Sequence, residues 1–208
     1  MSLAEALAQG LAELGLRVPA AIQRKLLDYL ALLAKWNRVH NLTAVRESSK
    51  MVSNHLLDCL AVLPHLEAHT VLDVGSGAGL PGIPLALVWP QTNVTLLDSN
   101  HKKSTFLRQA AIELGLNNAE VVCERVEAWR SPRKFDLVIA RAFSDLPEFL
   151  QLAGRLCAAN GILAAMKGVY PHEELAQLPR DFKLRCVVPL KVPGMRAARH
   201  LVLLSPQP

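Results

Sequence analysis

A short apolar run that breaks into alternating glycines, Val71-Leu72-Asp73-Val74-Gly75-Ser76-Gly77-Ala78-Gly79-Leu80-Pro81-Gly82, leaves this chain few folds to choose from. Val71 to Val74 read as a short buried strand, and Gly75, Gly77 and Gly79 as a tight turn. Glycine allows a positive φ there and removes the Cβ that would hold a ligand away from the backbone. Pro81 is well placed to start a helix, because its missing N–H is one that a helix N-terminus leaves unpaired. Strand, glycine turn and helix start make the first βα unit of a nucleotide-binding α/β sheet.

The segment admits two ligands. Gly77, Gly79 and Gly82 fit the dinucleotide pattern G-x-G-x-x-G, which keeps a nicotinamide oxidoreductase open. Two features favour S-adenosylmethionine instead. The turn starts at Gly75 with a G-x-G-x-G rhythm, and Asp73 sits in the strand before it. Asp98 ends the next predicted strand, where a carboxylate accepts hydrogen bonds from both hydroxyls of an adenosine ribose. The plain alternative for Asp98 is a helix N-cap ahead of Lys102.

Ahead of the glycine unit the pattern is helical. Leu3, Leu7, Leu11 and Leu14 make an amphipathic stripe over 3–16, with Gly15 ending it. Pro19 opens a second helix striped by Ile22, Leu26, Leu30 and Leu33, and Trp36 to Thr43 reads as its packed end, with Asn37 and Asn41 capping backbone groups. A third helix is expected over 49–66; His55 and Asp58 share a face of it, a pair that reads first as structural. From Thr70 strands and helices alternate. Strands are expected at 70–74, 93–98, 119–124, 135–140 and 160–166, with helices at 82–89, 102–115 and 146–157 between them. A short helix at 172–178 and an antiparallel hairpin of strands, 183–190 and 199–204, close the chain. The fold expected is α/β, a Rossmann-like methyltransferase sheet, mostly parallel, with residues 1–68 as a helical extension packed on the 69–208 domain.

At 208 residues, 51% hydrophobic and 20% charged, the chain can bury a sizeable core. The formal charge of +5 leans toward an anionic partner. No signal peptide or membrane span is expected. Cys59, Cys123, Cys157 and Cys186 lie far apart in apolar segments, which reads as buried thiols in a reducing cytoplasm and no metal site. No sustained heptad calls for a second copy, so a monomer is expected.

Ligands of open α/β sheets sit outside the carboxyl ends of the strands. Cations recur there: His101, Lys102 and Lys103 after the second strand, Arg125 after the third, Arg141 after the fourth and Lys167 after the fifth. A positive rim beside a nucleoside pocket suits a phosphodiester substrate. Methylation of an exocyclic base amine usually goes with an Asn/Asp-Pro-Pro-aromatic stretch after the fourth strand, and here Ala140-Arg141-Ala142-Phe143 stands there. No cysteine occupies a strand-end loop as a nucleophile for C5 chemistry. A ring nitrogen such as guanine N7 needs no deprotonation, so cations without a general base are consistent with it. Another acceptor on the same fold, such as tRNA or a small molecule, and a non-enzymatic RNA-binding module also stay open on these residues.

The chain resembles the bacterial glucose-inhibited division protein B family, also called ribosomal small-subunit methyltransferase G. The likeness runs through Trp36 to Thr43, His55-Leu56-Leu57-Asp58, Leu72 to Ala86, Leu97-Asp98-Ser99, Arg141-Ala142-Phe143, Lys167-Gly168 and Arg199-His200-Leu201-Val202. Cys59 departs from the small polar residue more usual there. The resemblance implies methyl transfer from S-adenosylmethionine to N7 of a guanine in 16S rRNA, with the small ribosomal subunit or an assembly intermediate as partner and neither DNA nor membrane. It implies cofactor contacts at Gly75, Leu80, Val126, Glu127 and Arg141, beside Gly77, Gly79 and Asp98 from the turn and ribose argument. It places Lys102, Arg125, Lys167 and Arg199 at the cofactor–RNA face, with Arg141, Lys167 and Arg199 positioning RNA and transition state.

Overall fold

The computed structural model describes residues 1–45, 47–141, 143 and 145–207; Ala142, part of the Arg-Ala-Phe stretch, lies outside them. The chain begins with α1 (Leu3–Glu13), α2 (Ala20–His40), α3 (Ser48–Met51), a π-helical turn (Val52–Leu57) and α4 (Asp58–Leu60). It continues through β1 (Thr70–Val74), α5 (Gly82–Val88), β2 (Asn93–Leu97), α6 (His101–Leu114), β3 (Ala119–Val122), β4 (Phe135–Arg141), α7 (Leu146–Ala153) and β5 (Cys157–Lys167). The last elements are α8 (His172–Ala176), β6 (Phe182–Pro189) and β7 (His200–Pro206).

Local chemistry sets the boundaries. Ser2 and Glu5 cap α1 reciprocally, each side chain accepting the other's backbone N–H. Asn41, at φ 48°, ends α2 in the left-handed conformation that asparagine tolerates. Asn100 caps α6 by accepting from the N–H groups of Lys102 and Lys103, so Asp98 is not that helix's cap. Pro81 flanks α5, which begins at Gly82.

The sheet order is β3-β2-β1-β4-β5-β7-β6. β1 to β5 run parallel, β7 lies antiparallel to β5, and β6 antiparallel to β7, as expected. Its central strands are buried on both faces. Val71, Leu137, Ile139, Ala164 and Leu201 join the cluster that also holds Leu7, Leu26, Leu33 and Leu56 of the amino-terminal helices. Leu72, Val74, Val138, Leu163 and Val202 join Phe149 and Leu150 of α7 on the other face. Among the described residues no helix is long and apolar enough to cross a membrane.

Three expectations change. The helix expected over 49–66 is interrupted by the π-helical turn, and burial runs without a break from His55 to Val62, because this segment is packed on all sides rather than along one stripe. The helix expected to reach 157 ends at Ala153, and β5 starts at Cys157. Two thiols are not buried. Cys123 is half-buried just past β3, which ends at Val122 and so puts a cysteine in a strand-end loop. Cys186 is exposed, because the pairing slips between Leu184 and Cys186 and the extra residue, Arg185, flips the strand's parity so that Val187 faces inward.

Candidate functional site

β1 and β4 lie side by side where the chain crosses from one half of the sheet to the other, the place where a crevice opens at the carboxyl ends of the strands. One cavity there, about 350 Å³, is lined by Val74 and Gly75 at the end of β1, Leu97, Asp98 and Ser99 at the end of β2, and Glu124 to Glu127 after β3. Lys103, Phe143, Glu148 and Leu152 complete it. Phe143 is set by packing on Phe149, ring centroids 5.5 Å apart.

The glycines of the turn and helix start divide into two kinds, and of them Gly75 lines the cavity while Gly77, Gly79 and Gly82 do not. Gly75 and Gly77 have φ of 69° and 58°, and a Cβ on either would clash with nothing, so their backbones offer an open face. At Gly79 a Cβ would lie 2.4 Å from Ile83 Cδ1, and at Gly82 it would lie 2.2 Å from Leu96 Cδ2. Those two are glycine for close packing. The turn is braced from three sides. Tyr29 Oη on α2 donates to Ala78 O at 2.6 Å, Gly77 N–H donates to Asp98 Oδ2 at 2.8 Å, and Gly82 N–H donates to Asp73 Oδ2 at 3.0 Å. Burial pushes Asp73 up to about 7, partly offset by the Gly82 N–H. Asp98 Oδ1 also accepts from Asn100 N–H, so its carboxylate both holds the turn and lines the cavity.

A second cavity, about 340 Å³, opens past β4 and β5 and is walled on one side by the amino-terminal helices. Thr43, Val45, Asn54, His55 and Asp58 supply that wall; Arg141, Met166, Lys167, Gly168 and Arg199 supply the other. Asp58 ties the walls together. Its Oδ2 accepts from Arg141 Nη1 and its Oδ1 from Arg199 Nε, both at 3.0 Å. Arg141 Nη1 also donates to Asn54 O on the π-helical turn at 2.9 Å. Lys167 Nζ pairs with Glu174 Oε2 at 2.7 Å, and that oxygen also accepts from Leu146 N–H at the start of α7. His55 Nε2 lies 3.0 Å from Thr43 Oγ1; burial, then the charge of Arg141, holds the ring down at about 4, so it is neutral at pH 7. Among the described residues, three cations therefore face two carboxylates, leaving one net positive charge.

Gly75, Asp98, Val126 and Glu127 meet at the first cavity, and Arg141, Lys167 and Arg199 at the second. Leu80 is buried in the helical-side core, so its side chain faces neither. Lys102 is exposed on α6 and lines neither cavity, whereas Lys103 does. Arg125 lines the first, beside Glu127 at 3.3 Å. The rim of free cations is thus a rim of paired ones at Arg125, Arg141 and Lys167. Sequence reasoning missed Asp58 as the shared counter-ion, Glu174, Thr43, Asn54 and Phe143. The His55–Asp58 spacing and the Trp36-to-Thr43 stretch were the signals pointing at that wall. Among the described residues no cluster of three or more His, Cys, Asp or Glu is placed to hold a metal.

The family model described as rRNA small subunit methyltransferase G matches residues 22–202. The chain is 59% identical over 205 residues to the ribosomal RNA small subunit methyltransferase G of Laribacter hongkongensis, with 99% of each chain covered. It is 52% identical to the protein of that name from Pseudomonas aeruginosa, covering 97% of this chain and 94% of that one. Among solved structures, a SAM-dependent methyltransferase from Aquifex aeolicus is similar with a TM-score of 0.60, 20% identity, and 83% and 97% of the two chains covered. The glycopeptide N-methyltransferase MtfA in complex with S-adenosylmethionine is similar with a TM-score of 0.64, 12% identity, and 74% and 88% covered. The structural likenesses establish the methyltransferase sheet.

Proposed function

The chain belongs to the rRNA small subunit methyltransferase G family, and from that premise we propose that it transfers methyl from S-adenosylmethionine to N7 of a guanine in 16S rRNA. The observation that carries this reading is the pairing of two cavities across the end of β4, with Arg141 in one and Phe143 in the other. One has an open glycine face and a carboxylate; the other is lined by guanidinium and ammonium groups.

The first cavity fits the cofactor. The open faces of Gly75 and Gly77 admit a ligand against the backbone, and Asp98 keeps lone pairs beyond its two backbone bonds for ribose hydroxyls. Val126, Glu127 and Phe143 complete an adenosine-sized surface there, and Gly79 acts by packing. When bound, S-adenosylmethionine supplies an electrophilic methyl on a cationic sulfonium. A ring nitrogen with a free lone pair attacks such a group without a base, so the side chains' work is positioning and water exclusion. Arg141, Lys167 and Arg199 take that work on the RNA side, and neutral His55 adds no further charge. Residues 1–68 serve as the helical wall of the acceptor cavity, and 69–208 as the methyltransferase domain.

The test uses purified protein, labelled S-adenosylmethionine, and a panel of small ribosomal subunits, free 16S rRNA and tRNA from cells lacking the gene. Nucleosides are then resolved by mass spectrometry. Label in 7-methylguanosine of 16S rRNA is the expected result. Label in tRNA or another nucleoside overturns the acceptor. Absence of both transfer and cofactor binding overturns the whole reading.

A further inference from the structure

We propose that Tyr170, supported by His172 and His200, forms a stacking subsite for an unpaired rRNA nucleobase beside the cavity that takes the target guanine. The inference rests on the rRNA reading above.

Tyr170 follows β5 at the carboxyl edge of the sheet, where ligands bind. It is 41% exposed and its neighbour Val169 77%. Among the described residues it is the one aromatic side chain in the set of strongly exposed large apolar groups, and it belongs to neither core cluster. Yet it is not loose. Its ring lies 4.3 Å from that of His172, tilted 38°, and 5.7 Å from that of His200 in an edge-on arrangement at 83°. His200 Nδ1 is itself fixed 2.8 Å from Gly168 O. A ring so held gives up little freedom when a base stacks on it.

The loop is continuous with the acceptor cavity. Gly168 lines that cavity, and a Cβ there would sit 3.7 Å from Arg199 Nη1. Tyr170 lies three positions beyond Lys167, a span of at most about 11 Å. Cations and an aromatic ring at that spacing match the way proteins hold single-stranded RNA, with the backbone on positive charge and splayed bases on aromatic faces.

The experiment compares wild type with Tyr170→Ala, Tyr170→Leu and Tyr170→Trp, using unmodified small subunits and a single-stranded oligoribonucleotide as probes. Tyr170→Ala is expected to lower kcat/KM for subunits on the order of tenfold through KM, the size of one lost base stack, with S-adenosylmethionine affinity unchanged. Tyr170→Trp should restore it and Tyr170→Leu should not. The oligoribonucleotide should also quench the extra indole fluorescence of the Tyr170→Trp variant. Wild-type kinetics in Tyr170→Ala, rescue by Tyr170→Leu, loss of cofactor affinity, or no quenching would each overturn the subsite. If wild type transfers nothing to rRNA, the acceptor reading fails instead, and the quenching measurement alone decides whether this loop stacks a base.

Discussion

Asp58→Asn tests whether one carboxylate holds the acceptor cavity together. The Asp58 side chain is 4% exposed, and each oxygen accepts one charge-assisted bond at 3.0 Å from arginines 22% and 26% exposed. Such bonds contribute roughly 1.5–3 kcal/mol each, and removing one partner of a buried pair costs about 3–5 kcal/mol. Both arginines reach water and re-solvate in part, so the low end of that range applies. Asparagine keeps the shape and one acceptor, which puts Asp58→Asn near 2 kcal/mol and Asp58→Ala at about 3–4 kcal/mol. For a chain of this length about 2 kcal/mol lowers Tm by roughly 4–8 °C. The guanidinium left facing the amide NH2 then moves away from its partner, and single-turnover transfer should slow at least tenfold while S-adenosylmethionine affinity changes much less. A double-mutant cycle with Arg199→Gln, read by chemical denaturation, should show coupling of about 1 kcal/mol or more. Additivity within about 0.5 kcal/mol, together with wild-type transfer in Asp58→Asn, would refute the reasoning.

Three further outcomes are expected. Asp98→Ala should weaken S-adenosylmethionine binding by about 1–3 kcal/mol in calorimetry; a lower Tm with unchanged affinity would mean that the carboxylate only braces Gly77. Lys167→Ala should leave cofactor affinity intact, slow transfer to RNA, and make the log–log salt slope of RNA binding about 0.7 less negative; an unchanged slope would place Lys167 off the phosphates. His55 and Asp73 should oppose one another in stability against pH. The histidine, held down at about 4, contributes stability above its usual 6.5 that is lost as pH falls toward 4, and the aspartate, held up at about 7, contributes stability below 3.8 that is lost as pH rises through 7. Tm should therefore be nearly flat between these limits in wild type, fall with pH in His55→Gln and rise with pH in Asp73→Asn; three parallel curves would remove both assignments.

The sheet was legible because its signals are local. Apolar runs bounded by turn residues mark the strands, and the helix end at Asn41 acts within a few residues, whereas the caps at Ser2 and Asn100 were not read and Asp98 was the candidate in place of Asn100. What else stayed hidden depends on a distant partner or on a single inserted residue. No periodicity reveals that Arg185 is an extra residue against β7, yet it decides which way Cys186 faces. The glycine spacing treats these residues alike, whereas a Cβ would find room at Gly75 and Gly77 and would press on Ile83 at Gly79 and on Leu96 at Gly82. Counting cations at strand ends found the right edge of the sheet but overstated its charge, because Glu174 and Asp58 come from elements the count ignored.

Asp58 shows why that omission matters for function. Its partners stand 83 and 141 residues further along the chain, one at the end of β4 and one just before β7, while Asp58 itself follows the π-helical turn of the amino-terminal helices. A sheet that brought Arg141, Lys167 and Arg199 together alone would leave three like charges converging on one small space, and their repulsion would splay them. The helical extension supplies the counter-charge that lets two of them share a fixed geometry, and its π-helical turn aims both Asp58 and the Asn54 carbonyl at Arg141. The first cavity takes its lining from strand ends, α6 and α7, and borrows only the Tyr29 brace on its glycine turn from the amino-terminal helices. The second cavity exists only where sheet and helices meet, so the part of the chain least like a nucleotide-binding motif is the part that gives this cavity its shape.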